Sequence, residues 1–428
     1  MGNERLLHAR PAAVRTALSA LLLAACGPDA PAPTAPAAPD VPGLVVAPPP
    51  GGGCVESTTA GSGALTEFCF PAGWEPSDGL VLYAHGYVDA SRPLALPDDQ
   101  VGGVTVADLT TTQGFAYAST SYRDNGLVIA QGQQDLLRLL QQFERVYGEV
   151  TGPVYVVGAS EGALVATLAL ERWPQLFDGG LALCGPVGDF QTQIDYFGGF
   201  RARFDQVFET ALNLPGDAVT PPDAAFLAAF GKPDAAVVSA AIALAATGDL
   251  SGINSLPPVQ RDLLLFFLDP AHPERLVALQ GVLAASGAAF VPGDPVTTLV
   301  TTLGLLWYSF NATGDAIEVL GGNPFGGFGF TADPNAVTQV RARYTTTGRL
   351  SDPLVLLHNP LDPIVPFAQS ALYENKADAV GSGDLVTLLT SSIPYGHCSF
   401  TQAELLGALG TLVAADAATP LAVRAEPR

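Results

Sequence analysis

The sequence predicts an α/β protein in which a mostly parallel sheet is flanked by helices and interrupted by a helical insertion. Short apolar segments alternate with helix-patterned segments in the first part of the chain, which is typical of βαβ units. The strand signal then almost disappears for roughly 150 residues, a connection long enough to be structured itself. Strand-patterned segments return before the C-terminus, so a distant part of the chain is expected to complete the sheet.

The elements before the insertion are predicted from hydrophobic periodicity. Residues 129–148 place leucines and Phe143 at helical spacing, and the pattern closes at Gly148. A second, alanine-rich helix is predicted after Ser160 and stops before Pro174. The segments predicted as strands are 79–87, 154–160 and 179–185, and a further strand followed by a turn is predicted over 114–126.

The insertion is predicted over 186–348, where alanine- and leucine-rich helical segments lie between proline and glycine breaks. The strand pattern resumes within 353–366 and ends with a last strand over 385–392. A helix over 368–381 separates these two strands, and a closing helix follows over 401–415. The chain is thus predicted to be one α/β domain with a large helical insert.

The N-terminus has the pattern of an export signal. Three arginines precede an apolar run over 17–25, which is too short to span a bilayer. The ending Leu23-Ala24-Ala25-Cys26 resembles a bacterial lipoprotein signal, which implies cleavage after a signal peptide of residues 1–25 and lipid attachment to Cys26. An ordinary secretory signal with a chance cysteine is the alternative. Both interpretations place the protein outside the cytoplasm, in the cell envelope or secreted.

Residues 26–53 consist mainly of proline, alanine and glycine. Such a segment cannot bury a core and is expected to form an extended linker. The whole chain is 48% hydrophobic and 14% charged, which excludes a generally disordered protein. Its net charge of −22 argues against a nucleic-acid partner, which favours a basic surface.

The cysteines are consistent with export. If Cys26 is lipidated, an even number remains, which suggests disulfides in an oxidising compartment. Cys54 and Cys69 flank a predicted hairpin and are expected to pair, which leaves Cys184 for Cys398. No cysteine or histidine spacing suggests a metal site, and no cofactor is expected.

The segment Gly158-Ala159-Ser160-Glu161-Gly162 places a serine at a tight turn between a predicted strand and a predicted helix. Small residues two positions before and after the serine let the strand and the helix approach each other closely. This is the nucleophile-elbow pattern in its required context. The bare five-residue pattern also occurs by chance, so further support must come from partner residues.

A serine nucleophile requires a general base that is itself oriented by an acid. In this strand–turn–helix context the chain order is serine, acid, histidine. Of five histidines, His397 alone follows the last predicted strand, in a glycine-containing loop. Asp362 follows the preceding predicted strand and is the expected acid, although it also suits a tight turn. Asp352 lies at the wrong end of that strand.

A developing oxyanion requires backbone N–H donors that are already in place. The expected donors are the amides of Glu161, directly after the serine, and Tyr87, after the His85-Gly86 pair. The Glu161 carboxylate is expected to point away, into solvent or a loop contact, because an anion beside the oxyanion opposes catalysis. His85 is interpreted as a residue that braces the loop.

These motifs together resemble the α/β-hydrolase family over about residues 64–185 and 346–415. The resemblance implies a hydrolase core over 54–185 and 349–428, with 186–348 placed like the cap domain of many members. It also implies the triad Ser160, His397 and Asp362. Members include esterases, lipases, peptidases, lyases and non-catalytic relatives, so the substrate stays open.

Cys398 directly follows His397, and this resembles the tannase and feruloyl esterase family in part. In that family the partner cysteine precedes the serine, whereas Ala159 occupies the position here. We hypothesise that a Cys184–Cys398 disulfide holds His397 in register. The alternative is two separate buried cysteines, because free cysteine is a common core residue.

The resemblance and the apolar insertion favour a serine hydrolase that cleaves hydrophobic or aromatic carboxylic esters and is held at the membrane by a lipid anchor. A serine peptidase of the same fold is the first alternative, and it needs an acidic side chain for a substrate amine. The acids available early in the insertion are Asp189, Asp195, Asp205 and Glu209. A non-catalytic surface protein with the same fold is the second alternative. The oligomeric state is not predicted.

Overall fold

The computed structural model describes residues 46–59, 62–230, 235–287 and 294–419. The predicted signal peptide over 1–25, Cys26 and most of the predicted linker over 26–53 lie outside the described residues. The sheet and the helices described below pack as one compact unit.

The main sheet contains eight strands within the described part of the chain. They are β1 (Gly53–Thr58), β2 (Leu65–Phe70), β3 (Leu80–Ala84), β4 (Ala116–Thr120), β5 (Val154–Ala159), β6 (Gly179–Leu183), β7 (Leu354–His358) and β8 (Val386–Thr390). A separate small hairpin pairs Gln100–Val101 with Val104–Thr105.

The helices lie between and after these strands. They are α1 (Val106–Thr111), α2 (Ile129–Tyr147), α3 (Glu161–Arg172), α4 (Phe190–Leu212), α5 (Ala224–Phe230), α6 (Ala235–Thr247), α7 (Ser251–Asn254), α8 (Pro258–Phe267), α9 (Glu274–Ser286), α10 (Pro295–Leu320), α11 (Pro334–Arg343), α12 (Ala368–Val380) and α13 (Gln402–Ala418). Helices α4 to α11, here called the cap helices, all fall between β6 and β7.

The strand order across the sheet is β1-β2-β4-β3-β5-β6-β7-β8. Strand β2 pairs antiparallel with both of its neighbours, and the strands from β4 to β8 are parallel. Parallel strands need crossover connections, and helices supply them here. This mixed sheet with helices on both faces is the α/β-hydrolase fold, and it confirms the predicted fold class.

Two apolar layers cover the sheet. Leucines of α2 and α3 pack on one face and continue into the core of the cap helices. Residues of α1 and α13 pack on the opposite face. The central strands β3, β5, β6 and β7 are almost completely buried, as expected for parallel strands covered on both sides.

The strand register brings distant loops together at one edge of the sheet. Ala84 pairs with Gly158, Ala159 pairs with Leu183, and Leu183 pairs with Leu357. The residues that follow these pairs leave the sheet at its carboxyl edge, where ligands bind in open α/β sheets. Residues 85–87, which were predicted as the end of a strand, lie beyond β3 and belong to this loop cluster.

Candidate active site

Ser160 occupies the turn between β5 and α3. Its backbone has φ 54° and ψ −120°, a conformation that L residues rarely adopt. Neighbouring glycines make the turn possible, because a Cβ at Gly158 would lie 2.1 Å from the Gly162 carbonyl oxygen. A Cβ at Gly162 would lie 2.0 Å from the carbonyl oxygen of Ala84. The elbow therefore depends on direct contact between backbones.

We expect Gly162→Ala to lower the free energy of unfolding by about 3 kcal/mol or more, because rigid backbone would have to move. Gly407→Ala is the matched control on α13, where an added Cβ meets nothing within 4 Å. That change should raise stability by about 0.5–1 kcal/mol through helix propensity. Urea unfolding of both variants measures the difference, and equal effects would contradict the close-contact explanation.

Three side chains from separate loops form a continuous hydrogen-bonded array. The Nε2 atom of His397 lies 2.9 Å from Oγ of Ser160. Its Nδ1 atom lies 2.8 Å from Oδ2 of Asp362. In this arrangement Nδ1 carries the proton donated to the carboxylate, and Nε2 can accept the proton of the serine hydroxyl.

Asp362 is held in a fixed orientation and is 1% exposed. Its Oδ1 atom accepts the backbone N–H groups of Ile364 and Val365, at 2.8 and 3.0 Å. The Nε2 atom of His358, at the end of β7, lies 3.4 Å from Oδ2 of Asp362. Burial alone would raise the pKa of Asp362, but His397 and His358 and their hydrogen bonds hold it below the ordinary value. The carboxylate is therefore ionised at neutral pH.

The structure places Tyr87 and Glu161 beside Ser160 at the edge of one pocket. As the first residue of α3, Glu161 has a backbone N–H without an acceptor inside the helix. Gly86 approaches the elbow so closely that an added Cβ would lie 3.2 Å from Cβ of Ser160. The Tyr87 hydroxyl donates a hydrogen bond to Asp315 of α10. The two predicted oxyanion donors are thus near the serine.

The Glu161 carboxyl group is buried, with the residue only 6% exposed, so the solvent alternative is wrong and the loop contact is right. Oε1 accepts the backbone N–H of Val128 at 2.8 Å. Burial raises the pKa of Glu161 to about 8, and Asp315 adds to the increase. The carboxyl group is mostly protonated at neutral pH, which removes the expected conflict between an anion and the oxyanion.

We expect Glu161→Gln to change how stability depends on pH. The folded-state pKa of Glu161 is raised above its ordinary value of 4.5. The contribution of this proton to the free energy of unfolding is therefore fully present below pH 4.5 and is lost progressively as pH rises through about 8. Across that window the variant should gain about 3–5 kcal/mol in unfolding free energy relative to wild type. Urea unfolding at several pH values measures this difference.

Exposed Glu149, between α2 and β5, supplies the control variant, Glu149→Gln. The difference in unfolding free energy between wild type and Glu149→Gln should stay nearly flat over the same pH range, because an exposed charge contributes little to stability. If Glu161→Gln were equally flat, the carboxyl group of Glu161 would be ionised in the folded protein.

The other predicted roles near the site concern His85 and the acids of the insertion. His85 is buried, contacts the Gly86 carbonyl through Nδ1 and stacks on Tyr122 with ring centroids 4.1 Å apart. Burial lowers its pKa, so it is neutral and suited to bracing the loop.

Among the acids considered for a substrate amine, Asp189 caps α4 and Asp205 pairs with Arg201. Neither lines the pocket at Ser160.

An apolar pocket adjoins Ser160, with residues of the cap helices α4 and α10 in its wall. Most of its lining is aliphatic or aromatic. The apolar side chains that line it include Leu127, Phe190, Ile194, Phe197, Ile364 and Val365. The pocket also has Gln193 of α4 and Tyr308 of α10 in its wall, and these residues were missed in the sequence because no motif distinguishes them.

The structure contains both expected disulfides. Cys54–Cys69 joins the paired strands β1 and β2, and Cys184–Cys398 joins the end of β6 to the residue after His397. The Sγ atom of Cys398 lies 3.7 Å from Nε2 of His397.

Two disulfides indicate an oxidising, extracytoplasmic compartment. None of the helices in the described ranges has the length and apolarity required to cross a membrane.

Two groups of side chains in the described part of the chain have the spacing of metal ligands. One is Cys184, His397 and Cys398, and the other is Cys54, Glu67 and Cys69. All four cysteines are disulfide-bonded, and a disulfide sulfur is not the thiolate that binds metals. These groups therefore do not form metal sites in this state.

Fold and site together define an α/β-hydrolase fold with a hydrogen-bonded serine, histidine and aspartate at the carboxyl edge of the sheet. Among solved structures, the chain is similar to an esterase from Aspergillus oryzae at 12% identity, covering 81% of this chain and 73% of that chain with a TM-score of 0.45. Feruloyl esterase B from the same organism is 15% identical, covering 81% and 74% with a TM-score of 0.45.

An acylaminoacyl peptidase from Pyrococcus horikoshii is 12% identical over 84% of this chain and 41% of that chain, with a TM-score of 0.43. No protein-family model matches the chain, and no curated protein matches it. Similarity at this level does not identify an activity, so the function must be inferred from the site.

Proposed function

We propose that this protein is an extracytoplasmic serine hydrolase that cleaves carboxylic esters through an acyl-enzyme. Ser160 attacks the ester carbonyl while Nε2 of His397 accepts the hydroxyl proton. Asp362 keeps Nδ1 protonated and stabilises the imidazolium that forms. The backbone N–H groups of Tyr87 and Glu161 stabilise the oxyanion.

Collapse of the tetrahedral intermediate releases the alcohol, which takes its proton from His397. Water, activated by the same histidine, then attacks the acyl-serine and restores the enzyme. Residues 186–348 serve as a cap domain that covers the acyl group and limits the access of water. The sequence of steps requires no group beyond the side chains and amides named here.

The observation that supports this proposal most strongly is the hydrogen-bonded array Ser160–His397–Asp362, whose serine lines an apolar pocket. Hydrogen bonds at these lengths and an ionised, buried aspartate are the features that activate a serine. The pocket lining supports an uncharged, hydrophobic substrate group. An ester is favoured over a peptide because Glu161 is the one acid among the described residues of that lining, and its carboxyl group is mostly protonated at neutral pH.

The proposal is tested by hydrolysis of p-nitrophenyl esters from acetate to palmitate, followed by release of nitrophenolate. We expect activity that peaks at a chain length set by the pocket, together with covalent labelling by a fluorophosphonate probe. Labelling without hydrolysis of any ester would favour the serine peptidase. A folded protein with neither labelling nor hydrolysis would favour the non-catalytic alternative.

We also propose that Cys26 is lipidated and that the segment 26–53 tethers the enzyme to the envelope membrane. The arginines, the short apolar run and the small residues before Cys26 support this proposal. The protein expressed in a bacterial host should fractionate with membranes and incorporate labelled fatty acid, and Cys26→Ser should abolish incorporation. A wild-type protein found without lipid in the soluble envelope fraction would contradict the anchor and leave ordinary secretion.

A further inference from the structure

His397 lies within metal-ligand distance of two sulfur atoms. Cys184, His397 and Cys398 each offer one ligand atom, and these atoms all lie within 4.8 Å of one another. The Sγ atom of Cys398 is 3.7 Å from Nε2 of His397. One nitrogen and one sulfur ligand of a tetrahedral zinc ion are roughly 3.6 Å apart, as follows from the Zn–N and Zn–S bond lengths. The separation of these two atoms therefore already matches a zinc site.

The hydrogen bonds of His397 leave Nε2 as the nitrogen that can bind a metal. Its Nδ1 atom is 2.8 Å from Oδ2 of Asp362, to which it donates its proton. A metal-binding histidine almost always donates its second ring N–H to a group such as a carboxylate, which fixes the tautomer and makes the other nitrogen more basic. Nε2 now accepts the hydroxyl of Ser160 at 2.9 Å. A metal ion at Nε2 therefore competes with the serine for the same electron pair.

The disulfide prevents this group from binding a metal in the state described here. Cys184 and Cys398 are bonded to each other, with Cα atoms 5.3 Å apart, and the metal ligand is a thiolate. A dithiol reduces the bond by giving up two electrons and two protons, so that the S–S bond breaks, two thiols form and the dithiol becomes a disulfide. Zinc then displaces the thiol protons.

The three residues are not enclosed by the protein on every side. Cys184 is completely buried at the end of β6. The side chain of His397 is 14% exposed, and Cys398 is partly buried. A metal ion therefore has a route to the group from the side of His397 and Cys398.

We propose that reduction of the Cys184–Cys398 disulfide creates an inhibitory zinc site formed by the two thiolates and Nε2 of His397. Two cysteines and one histidine form a ligand set that zinc enzymes use, with water in the fourth position. Zinc occupies the nitrogen that accepts the Ser160 proton, so the serine loses its base. Exchange with an external disulfide takes back the two electrons, forms the S–S bond again and releases the ion. Zinc binding does not depend on the proposed ester hydrolysis, but the inhibition rests on it.

The test uses the full chain carrying Cys54→Ala/Cys69→Ala, so that Cys184–Cys398 alone, of the two disulfides described, is left to reduce. The protein is reduced with a phosphine, which becomes the phosphine oxide with oxygen from water, and is then freed of reductant and titrated with zinc without air. We expect about one equivalent of zinc to bind at micromolar concentration and to lower the rate of p-nitrophenyl ester hydrolysis at least about tenfold. The oxidised protein should stay within about twofold of its zinc-free rate.

The variant Cys184→Ala/Cys398→Ala is the matched control. It lacks both sulfur ligands, so its rate should stay within about twofold of its own zinc-free value. Cobalt gives a readout that is independent of activity, because thiolate ligands produce a charge-transfer absorption. The reduced protein should show this band, and the control variant should not. In His397→Ala, zinc affinity should fall at least about tenfold, because one ligand is lost.

The site would be overturned if the folded, reduced protein bound no zinc, or if His397→Ala bound zinc as tightly. Loss of the near-ultraviolet circular dichroism on reduction, before zinc is added, would also overturn it, because the ligands would no longer be held together. Zinc binding without inhibition would overturn the inhibitory role. If the zinc-free, oxidised protein hydrolyses no ester, the proposed function fails, whereas cobalt and zinc binding still decide whether the site exists.

Discussion

Ser160→Ala should lower kcat/KM for p-nitrophenyl esters by at least about 10⁴-fold while the protein stays folded. The hydroxyl oxygen is the atom that forms the acyl bond, and it lies 2.9 Å from the base that activates it. Alanine removes this oxygen without adding volume to the elbow. The measurement is the initial rate of nitrophenolate release, together with thermal unfolding of wild type and variant.

The control for this prediction is Ser251→Ala, an exposed residue of α7 in the cap, whose hydroxyl contacts Asp249. It should retain wild-type kcat/KM. His397→Ala should be about as damaging as Ser160→Ala, and combining the two should add little, because the groups act as a unit. If kcat/KM of Ser160→Ala stayed within tenfold of wild type, a residue other than Ser160 would be the nucleophile.

Removal of the Cys184–Cys398 disulfide should lower kcat by about 10–100-fold, because a small displacement of a catalytic group has an effect of this size. Cys184 and Cys398 both have positive φ, at 48° and 51°, which is an uncommon conformation for non-glycine residues. The disulfide holds this backbone in place on both sides, and His397 is the residue next to one of them. The variant Cys184→Ala/Cys398→Ala, assayed well below its unfolding temperature, measures the effect.

The second disulfide supplies a matched comparison. Cys54–Cys69 joins the edge strand β1 to its neighbour β2, and the variant Cys54→Ala/Cys69→Ala should lose about 2–5 kcal/mol of stability with little change in kcat. Both variants lose a disulfide, but only one loses a constraint beside His397. If the two variants had the same kcat, the Cys184–Cys398 disulfide would contribute to stability and not to the positioning of His397.

Much of the fold was predictable because its signals are local. The alternation of buried strands and amphipathic helices can be recognised in the sequence. The long segment without strand signal can be recognised as well, and it forms helices α4 to α11. The boundaries were less accurate at residues 85–87, where an apolar run continues beyond the strand that ends at Ala84. Hydrophobicity does not distinguish a buried strand from a buried loop that follows it.

The sequence by itself determined the fold class and the candidates Ser160, Asp362 and His397, because glycine spacing and chain order are read directly from residues. Only the tertiary structure decided that Glu161 is buried against Val128, and that Gln193 of α4 and Asp315 of α10 reach the site. These contacts join residues 33 to 228 positions apart. Their energies depend on burial and on partners brought together by folding, and no local pattern of residues encodes either.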